Sequence, residues 1–567
     1  MICDRRTRLS ERQAHRGLGF AALFSALCIG LSFPAFAQNR ANVSIDLGRA
    51  QNVLTDTSLG VPALTFDPNS FNTAGVPYLR AAGITAARYP GNHGVADLYH
   101  WSTKTTTRYQ GAEAGYFAPE SNFANFALMA EMLGQGVIVV NYGANFDGTG
   151  GGEPVEAAAW VAYANGNPSD TRALGKDSTG EDWQTVGYWA TIRSQAPLGS
   201  DDGLNFLRIR HPKPFGFKLW QVGDEVYNNG YYGGDHTGNP DLHGPAPTGP
   251  KDWAKLKGNA KLSPAAFALN LKLFAQAMKA VDPSIQIGAA LTVPPDPELR
   301  KRTSWDSTGE HNDPSAWAAV VWGVQWNDDV LKGACANLDF VTFDWALQPL
   351  LPPDYQTLNE PDLLTNTKSN FSIIINSMLG DYGTYCPQGH LPKLAFAPAG
   401  IATWPKVEHP VVKALWIADT NAILIESGTL NINWMEMYGN SMLSADRKTF
   451  GPVFYGLQML HTIAHNPGDD LLSVNSSSAT VAVHASYRRD GYVGLMLVNK
   501  DPKLPATVNV AFKNGNIGST GRRIDYGSAQ YEGKNPAAVS PFSASGNEFT
   551  VTVPPYTITD ILLPGHK

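Results

Sequence analysis

The chain has 567 residues, a formal net charge of −7 and 10% aromatic residues. That length holds a large core and more than one domain, and so aromatic a chain is not of disordered composition. No long basic run follows the first 16 residues, so nothing supports a nucleic-acid or charged-membrane partner.

Arg5, Arg6, Arg8, Arg12 and Arg16 precede the apolar run GFAALFSALCIGLSFPAFA, which ends in Ala35-Phe36-Ala37. This predicts a signal peptide over residues 1–37, cleaved before Gln38, and a secreted or periplasmic mature protein; an uncleaved anchor is the alternative. No later stretch is long and apolar enough to span a bilayer, so no membrane partner is expected after signal removal. Two cysteines remain beyond the leader, Cys335 and Cys386, and export makes an intramolecular disulfide between them reasonable. Neither a His-Glu-x-x-His motif nor a Cys/His cluster occurs, so no metal or other cofactor is expected.

From residue 61 to 465 strand-like and helix-like segments alternate. The strand-like segments are VPALTFD, ITAARYPGN, VIVVNYG, FGFKLWQVGDE, SIQIGAAL, LDFVTFDWA, KLAFAPAG and LNINWMEMYG. The helix-like segments between them include NFANFALMAEMLGQG and EPVEAAAWVAYANG, the latter ending in Gly166. Ser263-Pro264 marks a helix start, and Phe267, Leu271, Phe274, Met278 and Val281 give that helix one apolar face. Eight βα units predict parallel pairing and a (β/α)8 barrel, with a doubly wound sheet as the alternative. Residues 466–567 alternate apolar and polar positions around an Asp490-Gly491 hairpin signal, which predicts an antiparallel β-sandwich. Residues 38–60 form a strand segment that could join it.

Barrels of this kind carry their chemistry at the C-terminal ends of the strands. Strand four ends in LWQVGDEVYNNGYY, which places Glu225 at the mouth as a candidate acid, with Asp224 beside it. A charged Asp224 would favour the protonated form of Glu225. Trp220, Tyr227, Tyr231 and Tyr232 supply flat amphipathic rings suited to sugar faces. Other strand ends are also polar: Arg88, Asn92 and His93 on strand two, Asn141 and Tyr142 on strand three, Asp344 and Trp345 on strand six, and Trp434, Glu436 and Tyr438 on strand eight. Each alone could be a satisfied core or loop residue, but buried polar groups are costly unless paired.

RYPGNHGVADLYHW resembles the Arg-aromatic-Pro-Gly-Gly segment of bacterial family 51 α-L-arabinofuranosidases, and LWQVGDEVY resembles their Trp-x-x-Gly-Asn-Glu motif. VNYG with EAAAWVAYANG, KALWIADTNAILIESG, GPVFYGLQML and VTVPPYTITDILL are similar to further segments in the same order. The resemblance implies a barrel with a C-terminal sandwich, a polysaccharide or oligosaccharide substrate, and Glu225 as general acid/base. Two departures stand out. Asp224 replaces the motif's Asn, and no Glu lies between Leu391 and Thr403, where the family's strand-seven nucleophile would fall.

A retaining glycosidase needs two carboxylates about 5–5.5 Å apart, and an inverting one about 6.5–9.5 Å apart. Glu436 is the first candidate for the second acid, on strand parity with Trp434 and Tyr438, and Asp344 is the next. Arg88, Asn92, Asn141, Asp224, Tyr227, Trp345 and Trp434 are the expected substrate-binding residues. Three readings stay open: an arabinofuranosidase-related hydrolase, a hydrolase of β-xylosides, β-glucosides or uronides, and a carbohydrate-binding protein that has lost catalysis.

Overall fold

A computed structural model describes residues 39–91, 95–107, 117–229, 231, 241–245, 256, 258–293, 317–345, 359–399, 407–435, 437–439 and 442–566. The expected signal peptide, Asn92, His93, Tyr232 and Glu436 lie outside the described residues.

Eight strands close into a parallel barrel: Leu59–Pro62, Ala86–Tyr89, Gln135–Val140, Leu219–Val222, Gln286–Leu291, Phe340–Trp345, Lys393–Ala399 and Asn431–Trp434. Each pairs with the next in sequence, and the eighth returns to the first through Ile432 opposite Leu59. All eight expected strand segments overlap one of these strands, and the barrel replaces the open-sheet alternative. The strands form because they are short, continuously apolar runs, the pattern of a sheet covered on both faces. Inside the barrel, Val137, Leu219, Phe340, Ala395 and Leu430 make a small cluster contributed by five positions around the ring. Gly288 on strand five makes room for it: a Cβ there would sit 2.2 Å from the Phe340 ring.

The helices between strands start and stop on identifiable signals. Ser263 Oγ accepts the Ala266 N–H at 3.2 Å and caps helix Pro264–Val281. Phe267, Leu271, Phe274 and Met278 are buried on its inner face, while Leu269 and Leu273 point to solvent. Helix Pro154–Asn165 ends at Gly166, whose N–H reaches the Ala162 carbonyl at 2.9 Å. Cys335, just past helix Trp317–Ala334, and Cys386, just past helix Glu360–Tyr385, form a disulfide.

Beyond the barrel lies a second, mostly antiparallel sheet. Strands Val481–Tyr487 and Tyr492–Asn499 form its hairpin, turning at Gly491 with φ +86°. Strand Asn39–Val53 inserts between Asp470–Ser476, to which it is antiparallel, and Ala506–Lys513, to which it is parallel. Val43, Ile45, Leu472, Leu495, Val508, Val551 and Leu563 belong to a core separate from that of the barrel. A buried polar seam ties the two cores together. The His484 ring lies 2.8 Å from both Asp419 and Glu426 of barrel helix Val412–Glu426, and Lys500 Nζ lies 2.6 Å from Asp419. Among the described residues no helix is long and apolar enough to cross a membrane.

Candidate active site

Strand four leaves the barrel at Val222 and turns at Gly223, where φ is +70°. A Cβ at Gly223 would lie 2.4 Å from Val226 Cγ2 and 3.1 Å from Tyr142 Cβ, so the turn needs glycine twice over. Glu225 follows with φ +44° and ψ +34°, a left-handed conformation that costs a non-glycine residue about 1–2 kcal/mol. Such strain persists where the surroundings fix it, and it concentrates at functional positions.

The Glu225 carboxylate is held from its own chain. The Tyr227 hydroxyl donates to Oε1 at 3.1 Å, and Asn228 Nδ2 donates to Oε2 at 3.4 Å. Tyr227 is buried, edge-on to Trp326 at 6.2 Å. Burial pushes its hydroxyl well above the usual tyrosine range, and the negative charges of Glu225, Asp344 and Asp224 add to that push in this order. Tyr227 therefore feels a carboxylate from the end of strand four and another from strand six. Asp344 shares a strand face with Thr342 and Phe340, and Phe340 packs in the barrel interior. That parity turns Asp344 inward at the C-terminal end, where it is partly exposed.

Behind Glu225 lies a buried frame. Arg88, from strand two, places Nη2 2.5 Å from Asp224 Oδ1, and its side chain is fully buried. The charge expected to bear on Glu225 from Asp224 is thus countered by a guanidinium. Asp97 accepts the backbone N–H of Asp224 at 3.0 Å and that of Tyr142 at 3.3 Å. Burial, and then the neighbouring Asp224 charge, hold the Asp97 carboxyl well above the usual carboxylate range. One side chain from the loop after strand two therefore fixes the ends of strands three and four. Asp97 lies inside the motif RYPGNHGVADLYHW, where a lone acid among apolar and aromatic residues was the available signal.

The other expected residues take several places. Asn141 is buried and spent locally, its Nδ2 donating to the Ala144 carbonyl at 2.8 Å and its Oδ1 accepting the Ala144 N–H at 3.2 Å. Trp220 is fully buried on the helix side of strand four, edge-on to Trp160, so it does not line the mouth. Trp434 likewise packs on Trp416 of helix Val412–Glu426, with ring centroids 5.4 Å apart and only 5% of the residue exposed. Its ring is therefore no guide to the direction of the mouth on strand eight. Trp345 closes strand six, and Tyr231 packs beside Leu256 and Leu262. Strand seven, Lys393–Ala399, carries no acid. Among the described residues no group of three or more His, Cys, Asp or Glu is arranged to hold a metal ion.

No family model matches this chain. No curated protein matches it either. Solved structures do. An α-L-arabinofuranosidase from Thermotoga maritima, in an arabinose complex, superposes with a TM-score of 0.60 at 13% identity, covering 92% of this chain and 100% of that one. The GH51 arabinofuranosidase from Xanthomonas axonopodis pv. citri gives 0.57 at 15% identity, over 93% and 100%. A Paenibacillus polymyxa xyloglucanase from glycoside hydrolase family 44 gives 0.57 at 14% identity, over 93% and 99%. The chain therefore has a glycoside hydrolase-like fold, a (β/α)8 barrel with a C-terminal sandwich, shared with GH51 arabinofuranosidases and GH44 enzymes.

Proposed function

We propose that this protein is a secreted glycosidase that hydrolyses O-glycosidic bonds in a poly- or oligosaccharide, with Glu225 as general acid/base and Asp344 as the second carboxylate. The observation that carries this reading is Tyr227, whose buried hydroxyl bonds Glu225 and lies within electrostatic reach of Asp344. One acid bonded to that hydroxyl and a second whose charge reaches it, both at the C-terminal ends of barrel strands, would supply the pair that glycoside hydrolysis needs. Glu225 would protonate the leaving oxygen while Asp344 attacks the anomeric carbon or activates a water. Arg88 and Asp97 would position Glu225 through Asp224. The arabinofuranoside-type substrate is favoured by the fold likeness and by the RYPGN and VGDE segments; β-xylosides, β-glucosides and uronides are the other substrates to screen. Export is supported by the leader sequence and by the Cys335–Cys386 bridge.

The acid-free end of strand seven favours one competing reading, a barrel that binds glycan without cleaving it. A screen of aryl glycosides and polysaccharides separates the two. Turnover that falls about 10²–10⁴-fold in both Glu225→Gln and Asp344→Asn, with the fold intact by circular dichroism, supports the hydrolase. Unchanged turnover in Glu225→Gln removes the role assigned to it. Glycan binding with no turnover by the unaltered protein leaves the binding protein.

A further inference from the structure

A hollow of about 450 Å³ is lined by neither Glu225 nor Asp344. Its volume is within the usual range for small-ligand sites, about 300–1,000 Å³. Ser102, Thr103 and Phe146 reach it from the loops that follow strands two and three, at the same end of the barrel as Glu225. The remaining wall comes from the long connection between helix Pro154–Asn165 and strand four.

The lining is rich in aromatic rings, and three of its polar side chains are unspent. Phe146, Trp183 and Trp189 stand in a row, with successive centroids 5.9 Å and 5.9 Å apart. Both indole N–H groups are used internally: Trp183 donates to Asp177 at 3.1 Å and Trp189 to the Trp183 carbonyl at 2.8 Å. Trp183 and Trp189 are only 3% and 6% exposed, so they back the hollow with a narrow apolar margin, and the half-buried Phe146 ring adds to it. Tyr188 stands edge-on to Trp189 and is 37% exposed. Among the described residues, the Tyr188 hydroxyl, the Ser102 hydroxyl and the Glu181 carboxylate have no hydrogen-bond partner. Asp202 on the rim is already matched by Arg208, through bonds of 2.5 and 2.7 Å.

Ring surface framed by unengaged hydroxyl and carboxylate groups suits a ligand with C–H faces and hydroxyl edges. We infer that this hollow is an accessory subsite for a neutral segment of glycan, holding polysaccharide outside the catalytic mouth. The ligand class rests on the carbohydrate reading above; the site itself does not use the catalytic pair. Exposed Glu181 and Asp182 would repel uronate-rich chains, which is why the occupant is a neutral glycan.

The test is affinity electrophoresis of the full chain through arabinoxylan, xyloglucan and mixed-linkage glucan, with the double variant Glu181→Ala/Tyr188→Ala. Both positions are exposed, so folding is preserved, and circular dichroism checks this. The expected result is retention by at least one polymer, weakened about tenfold in the double variant, with hydrolysis of a small aryl glycoside within about twofold of normal. Glu225→Gln is expected to be retained like the unaltered protein. Equal retention of the double variant, or no retention of the unaltered protein, overturns the subsite. So does calorimetric binding of tetramethylammonium that disappears in the double variant without any glycan retention. Tyr188-dependent retention by a protein that cleaves nothing would sink the hydrolase reading and leave the subsite standing. Cleavage without such retention does the reverse.

Discussion

Arg88 Nη2 lies 2.5 Å from Asp224 Oδ1, and the two side chains are 0% and 3% exposed. Both charges have given up their hydration, and each depends on the other to offset that cost. Losing one partner strands a charge, whereas replacing both with apolar groups removes the problem. Asp224→Ala is expected to lower unfolding free energy by about 3–5 kcal/mol in urea titrations. The double change Arg88→Met/Asp224→Leu is expected to recover much of that while leaving hydrolysis impaired, because the peptide that carries Glu225 loses its anchor. Additive single and double effects in the cycle would show that the two groups do not act as a pair.

Glu225 sits in the left-handed region with φ +44°. Glycine adopts that conformation without a Cβ clash, so Glu225→Gly relieves backbone strain while deleting the proposed acid. The expected outcome is a stability equal to or above that of Glu225→Ala, by up to about 1 kcal/mol, with both variants inactive. Gly223→Ala goes the other way. Its Cβ would press on Val226 and Tyr142, and overpacking of this kind costs about 1–3 kcal/mol. A Gly223→Ala protein with unchanged denaturation midpoint would mean that the turn is looser than its contacts imply.

These positions also show how far a sequence can be read. Strands four and six were legible because a covered parallel strand must be a short apolar run, and Glu225 and Asp344 follow as the acids at their ends. Facing was not legible at Trp220 and Trp434. A strand buried on both sides has apolar residues on both faces, so no polar alternation marks which ring meets the helices and which meets the mouth. Asp97 escaped for another reason. Its partners are backbone amides of Tyr142 and Asp224, and the latter is 127 positions away in the chain. No local pattern encodes a side chain that serves distant main chain. The helix at Ser263-Pro264, by contrast, is capped by atoms within three residues, and it was visible at once.

The Cys335–Cys386 bridge joins the ends of two barrel helices whose cysteines are 51 positions apart. Closing a loop of that size restricts the unfolded chain, and removing such a bridge costs about 2–5 kcal/mol. The unaltered protein is expected to lose stability in urea when dithiothreitol is added. The Cys335→Ala/Cys386→Ala variant is expected to start from the lower value and ignore the reductant. Identical midpoints for oxidised, reduced and double-variant protein would show that the bridge contributes nothing to stability.

His484 makes the sandwich–barrel seam sensitive to alkaline pH. Its Nε2 lies 2.8 Å from Asp419 and its Nδ1 2.8 Å from Glu426. With a carboxylate on each ring nitrogen, both must donate, which requires the imidazolium. Burial works against that charge, but Glu426 and Asp419 outweigh it and push the His484 pKa up to about 10. The native state therefore binds this proton more tightly than the unfolded chain, whose histidine titrates at about 6.5. The stabilisation is complete below about pH 6.5 and disappears as pH rises through about 10. Asp419 behaves in the opposite sense. Burial would raise it, yet Lys500 and His484 bring it down to about 2, so its contribution holds above about pH 4 and fails as pH falls through 2. Melting temperatures measured from pH 6 to 10 are expected to fall more steeply for the unaltered protein than for His484→Gln. The difference between the two curves should shrink toward zero at the alkaline end. Parallel curves across that window would mean that His484 is not protonated in the seam and that its carboxylate neighbours are balanced by Lys500 alone.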